Sequence, residues 1–186
     1  MHLPSLILAS QSPRRRELLT TAGITFTVRV RSVEEVLVPG ETAEAYVRRL
    51  AREKAEAAFE DRAEIVLGAD TVVVVDGEVL EKPRDAVDAF QMLTRLSGCE
   101  HAVITGICLR HAGGALVDAE TTRVRFARLD HREIEDYVAT REPIDKAGAY
   151  AIQGLGSKFV ERIEGCYFNV MGLPLALVYR HLKSLR

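Results

Sequence analysis

The sequence contains no tryptophan and only three cysteines among its 186 residues. Three scattered cysteines without a CxxC pair are too few for a disulfide framework. Cys108 lies in an apolar run, where we interpret it as a small buried hydrophobic residue. The five histidines show no HxxxH or similar spacing, so a histidine-based metal site is not expected. Thiol chemistry and zinc chemistry are therefore disfavoured.

The chain also lacks an excess of either charge and any long apolar run. It has 25 Lys and Arg residues against 27 Asp and Glu residues. Proteins that coat nucleic acid usually carry a basic excess, so no stable binding to nucleic acid is expected. The apolar stretches fall far short of the roughly 20 residues that span a bilayer. The first arginines follow an apolar run, whereas a signal peptide begins with positive charge, so we expect a cytoplasmic protein without membrane association.

The composition is that of a folded α/β protein. Hydrophobic residues make up 47% of the chain and charged residues 28%, which is enough apolar material for a core. Strand-like runs alternate with helical periods, and no linker or internal repeat interrupts them. Long hairpins mixed with crossover helices predict a mixed, twisted sheet with flanking helices. We expect residues 1–186 to form a single domain.

Capping and turn residues mark several element boundaries. Ser12 followed by Pro13 favours a helix start, Asp130 with Glu133 forms a capping-box pattern, and residues 76–77 are typical of a hairpin turn. The segment 143–156 is predicted to be irregular. The predicted strands cover residues 5–9, 25–30, 64–69, 71–75, 78–80, 101–110, 115–129 and 158–163. The predicted helices cover residues 13–23, 42–61, 85–98, 130–140 and 173–185.

Lys54 interrupts the apolar face of the longest predicted helix. With 100° per residue, it falls within a stripe of apolar residues, while the other charged residues of the helix lie opposite. Burying an unpaired ammonium group costs several kcal/mol, so Lys54 needs either an escape to solvent or an anion. Two interpretations stay open: a snorkelling or ion-paired structural lysine, and an anion ligand. Under the second, Lys54→Met is expected to leave the fold neutral or stabilised.

Asp70 separates two of the most apolar runs in the chain. A carboxylate in such a segment needs hydrogen bonds, a cation or a catalytic role. It could act as a general base toward water or bind Mg²⁺, and the adjacent Thr71 offers a hydroxyl. The alternative is an aspartate at a strand bend that accepts hydrogen bonds from local N–H groups.

Residues 9–16 combine a strand end, small hydroxyl residues, a helix start and three arginines. Backbone N–H groups, the helix dipole and guanidinium groups together favour an oxyanion, although a solvated basic helix start is also possible. Further charged residues lie at Glu34, Glu35 and Lys82 and in the glycine-bearing segment 145–156. Cations and carboxylates at element ends suit a metal-bound polyphosphate better than a neutral ligand.

The segments 8–15, 68–73, 81–83, 145–150 and 153–174 resemble the Maf family of nucleoside triphosphate pyrophosphatases. The match runs over nearly the whole chain in the expected order. The resemblance implies an inosine-triphosphatase-like α/β fold with a central cleft, often as a homodimer. It also implies hydrolysis of a nucleoside triphosphate to the monophosphate and pyrophosphate with a divalent cation, Mg²⁺ or Mn²⁺.

The same resemblance implies roles for individual residues. Asp70 would be the general base and, with Glu34 or Glu35, would hold the metal. Four residues would bind the triphosphate: Ser10, Arg14, Lys54 and Lys82. The chain resembles the branch of the family that prefers dTTP and UTP, and Arg14, Thr71 and Gln153 match the positions associated with that preference.

Two other functions stay open at this point. A related branch acts on 7-methyl-GTP and differs around the position of Gln153. Maf proteins have also been linked to septum formation and cell division, which allows a nucleotide- or nucleic-acid-binding regulator. The presence of Asp70, Lys54 and Lys82 together favours turnover, and we expect an enzyme that removes non-canonical or modified nucleotides.

Overall fold

The computed structural model describes residues 6–185. Strands and helices are interspersed along the chain. The strands are β1 (Leu6–Leu8), β2 (Phe26–Val28), β3 (Ile65–Val75), β4 (Glu78–Leu80), β5 (Glu100–His111), β6 (Gly114–Phe126) and β7 (Val160–Glu164). The helices are α1 (Pro13–Thr21), α2 (Ala43–Ala58), α3 (Ala86–Leu96), α4 (His131–Ala139), α5 (Tyr167–Val170) and α6 (Leu175–Ser184). No helix within these residues is long and apolar enough to cross a membrane.

The seven strands form one mixed sheet, as the sequence predicts. Its order is β2-β1-β3-β5-β6-β7, and β4 pairs with β3 beside this path. The pairings of β1 with β2 and with β3 are parallel, whereas β3 with β4 and β6 with β7 are antiparallel. Parallel neighbours need crossover connections, and α1 and α2 lie in the connections β1–β2 and β2–β3.

The chain divides into two compact units. Of the described residues, the first unit comprises 6–71, 105–120 and 172–185, and the second comprises 72–104 and 121–171. The first unit holds β1, β2, α1, α2 and α6, and the second holds β4, α3, α4, α5 and β7. The expectation of a single domain over residues 1–186 stays a prediction.

Helix α2 packs against the sheet through an unusually close contact. The apolar residues of the stripe predicted from its periodicity are fully buried: Val47, Leu50, Ala51, Ala55 and Ala58. A Cβ atom on Gly68 would lie 2.1 Å from the carbonyl oxygen of Ala51, and one on Gly106 would lie 2.3 Å from that of Val47. Only glycine therefore allows the backbone of α2 to lie this close to β3 and β5. This contact fixes how close α2 lies to β3 at Gly68 and to β5 at Gly106.

Most predicted elements are confirmed, with ends shifted by a few residues. Asp70 does not break its strand, because β3 runs without interruption from Ile65 to Val75. The capping box of Asp130 and Glu133 is present at the start of α4. The segment 143–156, predicted to be irregular, contains short 3₁₀ turns, and α5 was not predicted because its four residues are too few for a periodic pattern. Of the first predicted strand, residue 5 lies outside the described residues.

Candidate active site

Asp70 and Lys54 meet on the inner face of α2. The Lys54 ammonium donates to Oδ1 of Asp70 at 2.7 Å, and only 14% of the lysine side chain and 12% of the aspartate side chain are exposed. Oδ2 of Asp70 accepts no hydrogen bond from the described residues. The glycine at position 68, two residues before Asp70, lets α2 approach β3 closely enough for this pair. A half-paired carboxylate beside a cation can accept a proton from water.

Glu35 is the second carboxylate on Lys54. Its Oε1 lies 2.6 Å from the Lys54 ammonium, so one lysine bridges two carboxylates. Glu34 is exposed, and its side chain forms no ion pair with residues 6–185. Of the two glutamates suggested by the sequence, the structure thus brings Glu35 to Asp70. Lys54 is ion-paired, and a negatively charged phosphate could still share its ammonium.

Arg49 holds the loop that carries Glu35. Its guanidinium forms a two-pronged contact with Glu41, with both N···O distances at 2.8 Å. It also donates to the carbonyl of Val36, the residue after Glu35, at 2.9 Å. The Glu41 contact raises the pKa of Arg49 further above its usual value, against the opposing effect of burial. The loop next to Glu35 is therefore tied to α2, one and a half turns before Lys54.

Arg15 is the residue of this region that sequence reasoning passed over in favour of Arg14. It is buried, and it donates to Ser10 Oγ at 3.1 Å, to the carbonyls of Ala69 at 2.9 Å and Gly172 at 2.8 Å, and to Thr71 Oγ1 at 3.0 Å. Burial lowers the pKa of Arg15, and the charge of Asp70 opposes that effect. The guanidinium nevertheless remains charged in any protein.

Ser10 and Thr71 orient Arg15. Ser10 Oγ accepts from Arg15 and also from the backbone N–H of Ser12, the residue that caps α1. Thr71 Oγ1 accepts from Arg15 and lies 2.9 Å from the hydroxyl of Thr105. Arg14 is half-buried in the first turn of α1. The structure thus gathers Ser10, Thr71 and Arg15 around the residues flanking Asp70.

The donor set suits Mg²⁺ or Mn²⁺. Within residues 6–185 no group of three or more His, Cys, Asp or Glu side chains is arranged to hold a metal ion. Two carboxylates, those of Glu35 and Asp70, contact the same ammonium and therefore lie close to each other. Mg²⁺ is commonly held by one or two carboxylates together with substrate phosphates. These two residues would hold the metal, and the metal itself stays a prediction.

Lys82 and Gln153 belong to the second unit. Both are exposed, and neither side chain forms a hydrogen bond or ion pair with the described residues. Lys82 precedes the buried Pro83 in the segment after β4, and Gln153 lies in a turn before the 3₁₀ segment Leu155–Phe159. Their predicted roles toward phosphate and base stay predictions.

Sequence comparison assigns the chain to a family. The family model described as "Maf-like protein" matches residues 5–185. The chain belongs to the Maf family. Two Maf relatives are both named dTTP/UTP pyrophosphatase. The protein of Anaeromyxobacter dehalogenans (strain 2CP-C) is 55% identical over 93% of this chain and 90% of its own length. The protein of Escherichia coli (strain K12) is 51% identical over 98% of this chain and 93% of its own.

Solved structures agree with the fold of this Maf protein. The Staphylococcus aureus Ham1 protein matches with a TM-score of 0.54 and 16% identity, over 98% of this chain and 100% of that one. A HAM1 protein from Coxiella burnetii matches with a TM-score of 0.53 and 17% identity, over 97% and 98%. At such identities the likeness concerns the fold alone, and it confirms the predicted α/β architecture.

Proposed function

We propose that this Maf protein hydrolyses dTTP and UTP to the nucleoside monophosphate and pyrophosphate. The observation that carries the proposal is near-full-length identity of 51–55% to relatives named dTTP/UTP pyrophosphatase. The juxtaposition of Asp70, Lys54 and Glu35 supports it, because these residue types suit hydrolysis of a phosphoanhydride.

The proposed reaction is attack of water on the α-phosphorus. Asp70 takes a proton from water through its Oδ2, the water oxygen forms a bond to the α-phosphorus, and the bond from that phosphorus to the α–β bridging oxygen breaks. The electron pair of the broken bond leaves with pyrophosphate. Asp70 returns its proton to solvent. General-base assistance of this kind typically contributes about 10²–10⁴-fold in rate.

The cationic residues stabilise the charge that develops on the phosphate oxygens. Lys54 already lies against Asp70, where it can share its ammonium with a phosphate oxygen, and Lys82 and Arg14 are the other proposed triphosphate ligands. Arg15 holds Ser10 and the Ala69 carbonyl in place around Asp70. A divalent cation held by Glu35 and Asp70 would neutralise phosphate charge when it is bound.

Gln153 is the proposed reader of the base. Its amide offers one donor group and one acceptor oxygen, which can match the edge of thymine or uracil. A methylated purine would leave that amide poorly paired, so 7-methyl-GTP is the disfavoured alternative. We further propose that the cellular role is removal of non-canonical or modified nucleotides. A cytoplasmic location and a homodimer stay predictions, and a regulator of cell division stays an alternative function.

The test is pyrophosphate release from a panel of nucleoside triphosphates with Mg²⁺ or Mn²⁺. The panel contains dTTP, UTP, dCTP, GTP and 7-methyl-GTP. The proposal expects the highest kcat/KM for dTTP and UTP, and no release without a divalent cation. Preference for 7-methyl-GTP would move the chain to the related branch. Nucleotide binding without turnover of any member would favour the regulator.

A further inference from the structure

A turn in the second unit presents Gln153 at its corner. The amide of Gly154 donates to the carbonyl of Ala151 at 3.3 Å, which closes a turn around Ile152 and Gln153. Ile152 is buried and Gln153 is exposed. The side chain of Gln153 forms no hydrogen bond or ion pair with the described residues. Its position therefore depends on what holds the two ends of the turn.

Tyr137 holds the end that precedes Gln153. This tyrosine is on α4 and is fully buried. The backbone N–H of Ala151 donates to the tyrosine oxygen at 3.1 Å. The tyrosine hydroxyl in turn donates to Oε1 of Glu142 at 2.8 Å. One hydroxyl thus links the start of the turn to a carboxylate.

Glu142 holds the end that follows Gln153. Its Oε2 accepts from the N–H of Leu155 at 3.0 Å, and its Oε1 accepts from the N–H of Gly156 at 3.2 Å. Burial would raise the pKa of Glu142, but these two bonds, the Tyr137 hydroxyl and the charge of Lys146 outweigh burial and lower it. The side chain is therefore a carboxylate, which can accept all three hydrogen bonds at once.

Two glycines allow the backbone of the turn to lie directly against Tyr137 and Glu142. A Cβ atom on Gly154 would lie 2.4 Å from Oε2 of Glu142, and one on Gly156 would lie 2.7 Å from the hydroxyl oxygen of Tyr137. Because both positions are glycine, no side chain separates the backbone of the turn from Tyr137 and Glu142. The backbone on both sides of Gln153 is consequently held by one buried tyrosine and one carboxylate.

We propose that Tyr137 and Glu142 are positioning residues for Gln153 and that they set the nucleotide discrimination of the enzyme. This inference rests on the proposed function, in which Gln153 reads the pyrimidine. An exposed amide on a loose turn would have to be ordered by each substrate, at a cost in binding free energy. A turn tied at both ends has the backbone of Gln153 ordered beforehand, so only the side-chain torsions are left to be ordered when the matching base binds, and that base is bound more tightly than others.

The experiment compares kcat/KM for dTTP with kcat/KM for GTP in Tyr137→Phe and Glu142→Gln. Each variant removes or weakens hydrogen bonds to the turn and keeps the shape of the side chain. We expect the dTTP preference to fall about 5- to 10-fold in each, the equivalent of one lost hydrogen bond. The change should lie mainly in a higher KM for dTTP, since the groups around Asp70 are untouched.

The matched control is Tyr150→Phe. It removes another buried tyrosine hydroxyl of the same unit, one that lies 2.9 Å from Nε2 of His101 and forms no hydrogen bond with residues 151–156. We expect this variant to lose thermal stability much as Tyr137→Phe does, with unchanged discrimination. Equal loss of discrimination in both tyrosine variants would overturn the proposal, because a general loosening of the unit would then explain it.

A double variant separates this inference from the proposed function. If Glu142 acts through Gln153, then adding Glu142→Gln to Gln153→Ala lowers discrimination no further than Gln153→Ala does. If Gln153→Ala lowers discrimination and the Tyr137 and Glu142 variants do not, the positioning role is wrong while the proposed function stands. If Gln153→Ala itself changes nothing, the assignment of Gln153 in the proposed function fails, and the positioning role fails with it. Should Glu142→Gln not fold, Tyr137→Phe alone decides between these outcomes.

Discussion

The two units of the molecule fix their functional side chains in different ways. In the first, Asp70 and Lys54 lie on a strand and a helix, and close backbone packing at Gly68 sets their separation. In the second, Gln153 lies in a turn that is held by hydrogen bonds from flanking backbone N–H groups to the side chains of Tyr137 and Glu142. Charge chemistry needs atoms held on rigid elements, whereas recognition of a base can be built on a loop that is tied in place. Damage to the two units should therefore have different consequences.

The largest expected effect is loss of turnover in Asp70→Asn. An amide cannot take a proton from water, so kcat for dTTP should fall about 10²–10⁴-fold. Asparagine can still accept a hydrogen bond from Lys54, so the circular dichroism spectrum should be retained. Steady-state kinetics with purified protein measures the loss. Turnover near that of the wild type would show that Asp70 is not the base.

The next largest effect concerns the close backbone contact between α2 and β3 in the first unit. Gly68→Ala places a Cβ atom against the Ala51 carbonyl oxygen, and we expect the free energy of unfolding to fall by about 3 kcal/mol. Urea denaturation measures it. Gly40→Ala is the control, since Gly40 has a φ of +83° but open space around it and should lose only about 1–2 kcal/mol. If Gly68→Ala lowered the free energy of unfolding no more than Gly40→Ala does, close packing would not be the cause of the loss.

Lys54→Met sharpens the comparison between a paired and an exposed lysine. The sequence alone predicts a neutral or stabilising change, but the structure revises that expectation because methionine would leave Asp70 and Glu35 without their shared cation. We expect a loss of about 2 kcal/mol in the free energy of unfolding, from urea titration. Lys82→Met, in the second unit, should change it by less than about 0.5 kcal/mol. Equal values for both lysines would contradict the bridging role.

The smallest effect is a dependence of stability on pH in the second unit. Burial lowers the pKa of His101 from 6.5 to about 4. The unfolded chain therefore binds a proton more readily than the folded one, and stability falls as the pH drops from 6.5 toward 4. We expect a loss of about 1 kcal/mol between pH 6.5 and 5.5 that His101→Phe lacks. Chemical denaturation at both pH values tests this, and an equal loss in the variant would assign it to other groups.

The sequence predicts best what interrupts a regular pattern. Lys54 and Asp70 stand out because each places a charge in an otherwise apolar stripe or run, and the structure brings the two together. The mixed sheet follows from the same periodic patterns, since buried strands and amphipathic helices differ in their repeat. Close packing at Gly68 and Gly106 cannot be predicted in this way. A single glycine in a predicted strand indicates a β-bulge just as well as a close backbone contact.

Several other residues of the candidate site and of the Gln153 turn are harder to assign from the sequence. Glu34 and Glu35 are adjacent in a loop, where no period indicates which side chain faces Lys54. Arg14 and Arg15 share the first turn of α1, and only the surrounding acceptors, which come from distant parts of the chain, select Arg15. No sequence pattern links Tyr137 and Glu142 to the turn of Gln153, so their hydrogen bonds to it could be found only in three dimensions.

The most direct test of the central claim is turnover of dTTP in water enriched in ¹⁸O, with both products analysed by mass spectrometry. Attack on the α-phosphorus predicts dTMP that carries the label and pyrophosphate that does not, with neither product formed at an appreciable rate by Asp70→Asn. Labelled pyrophosphate, or release of dTDP and inorganic phosphate, would contradict the proposed reaction at this site.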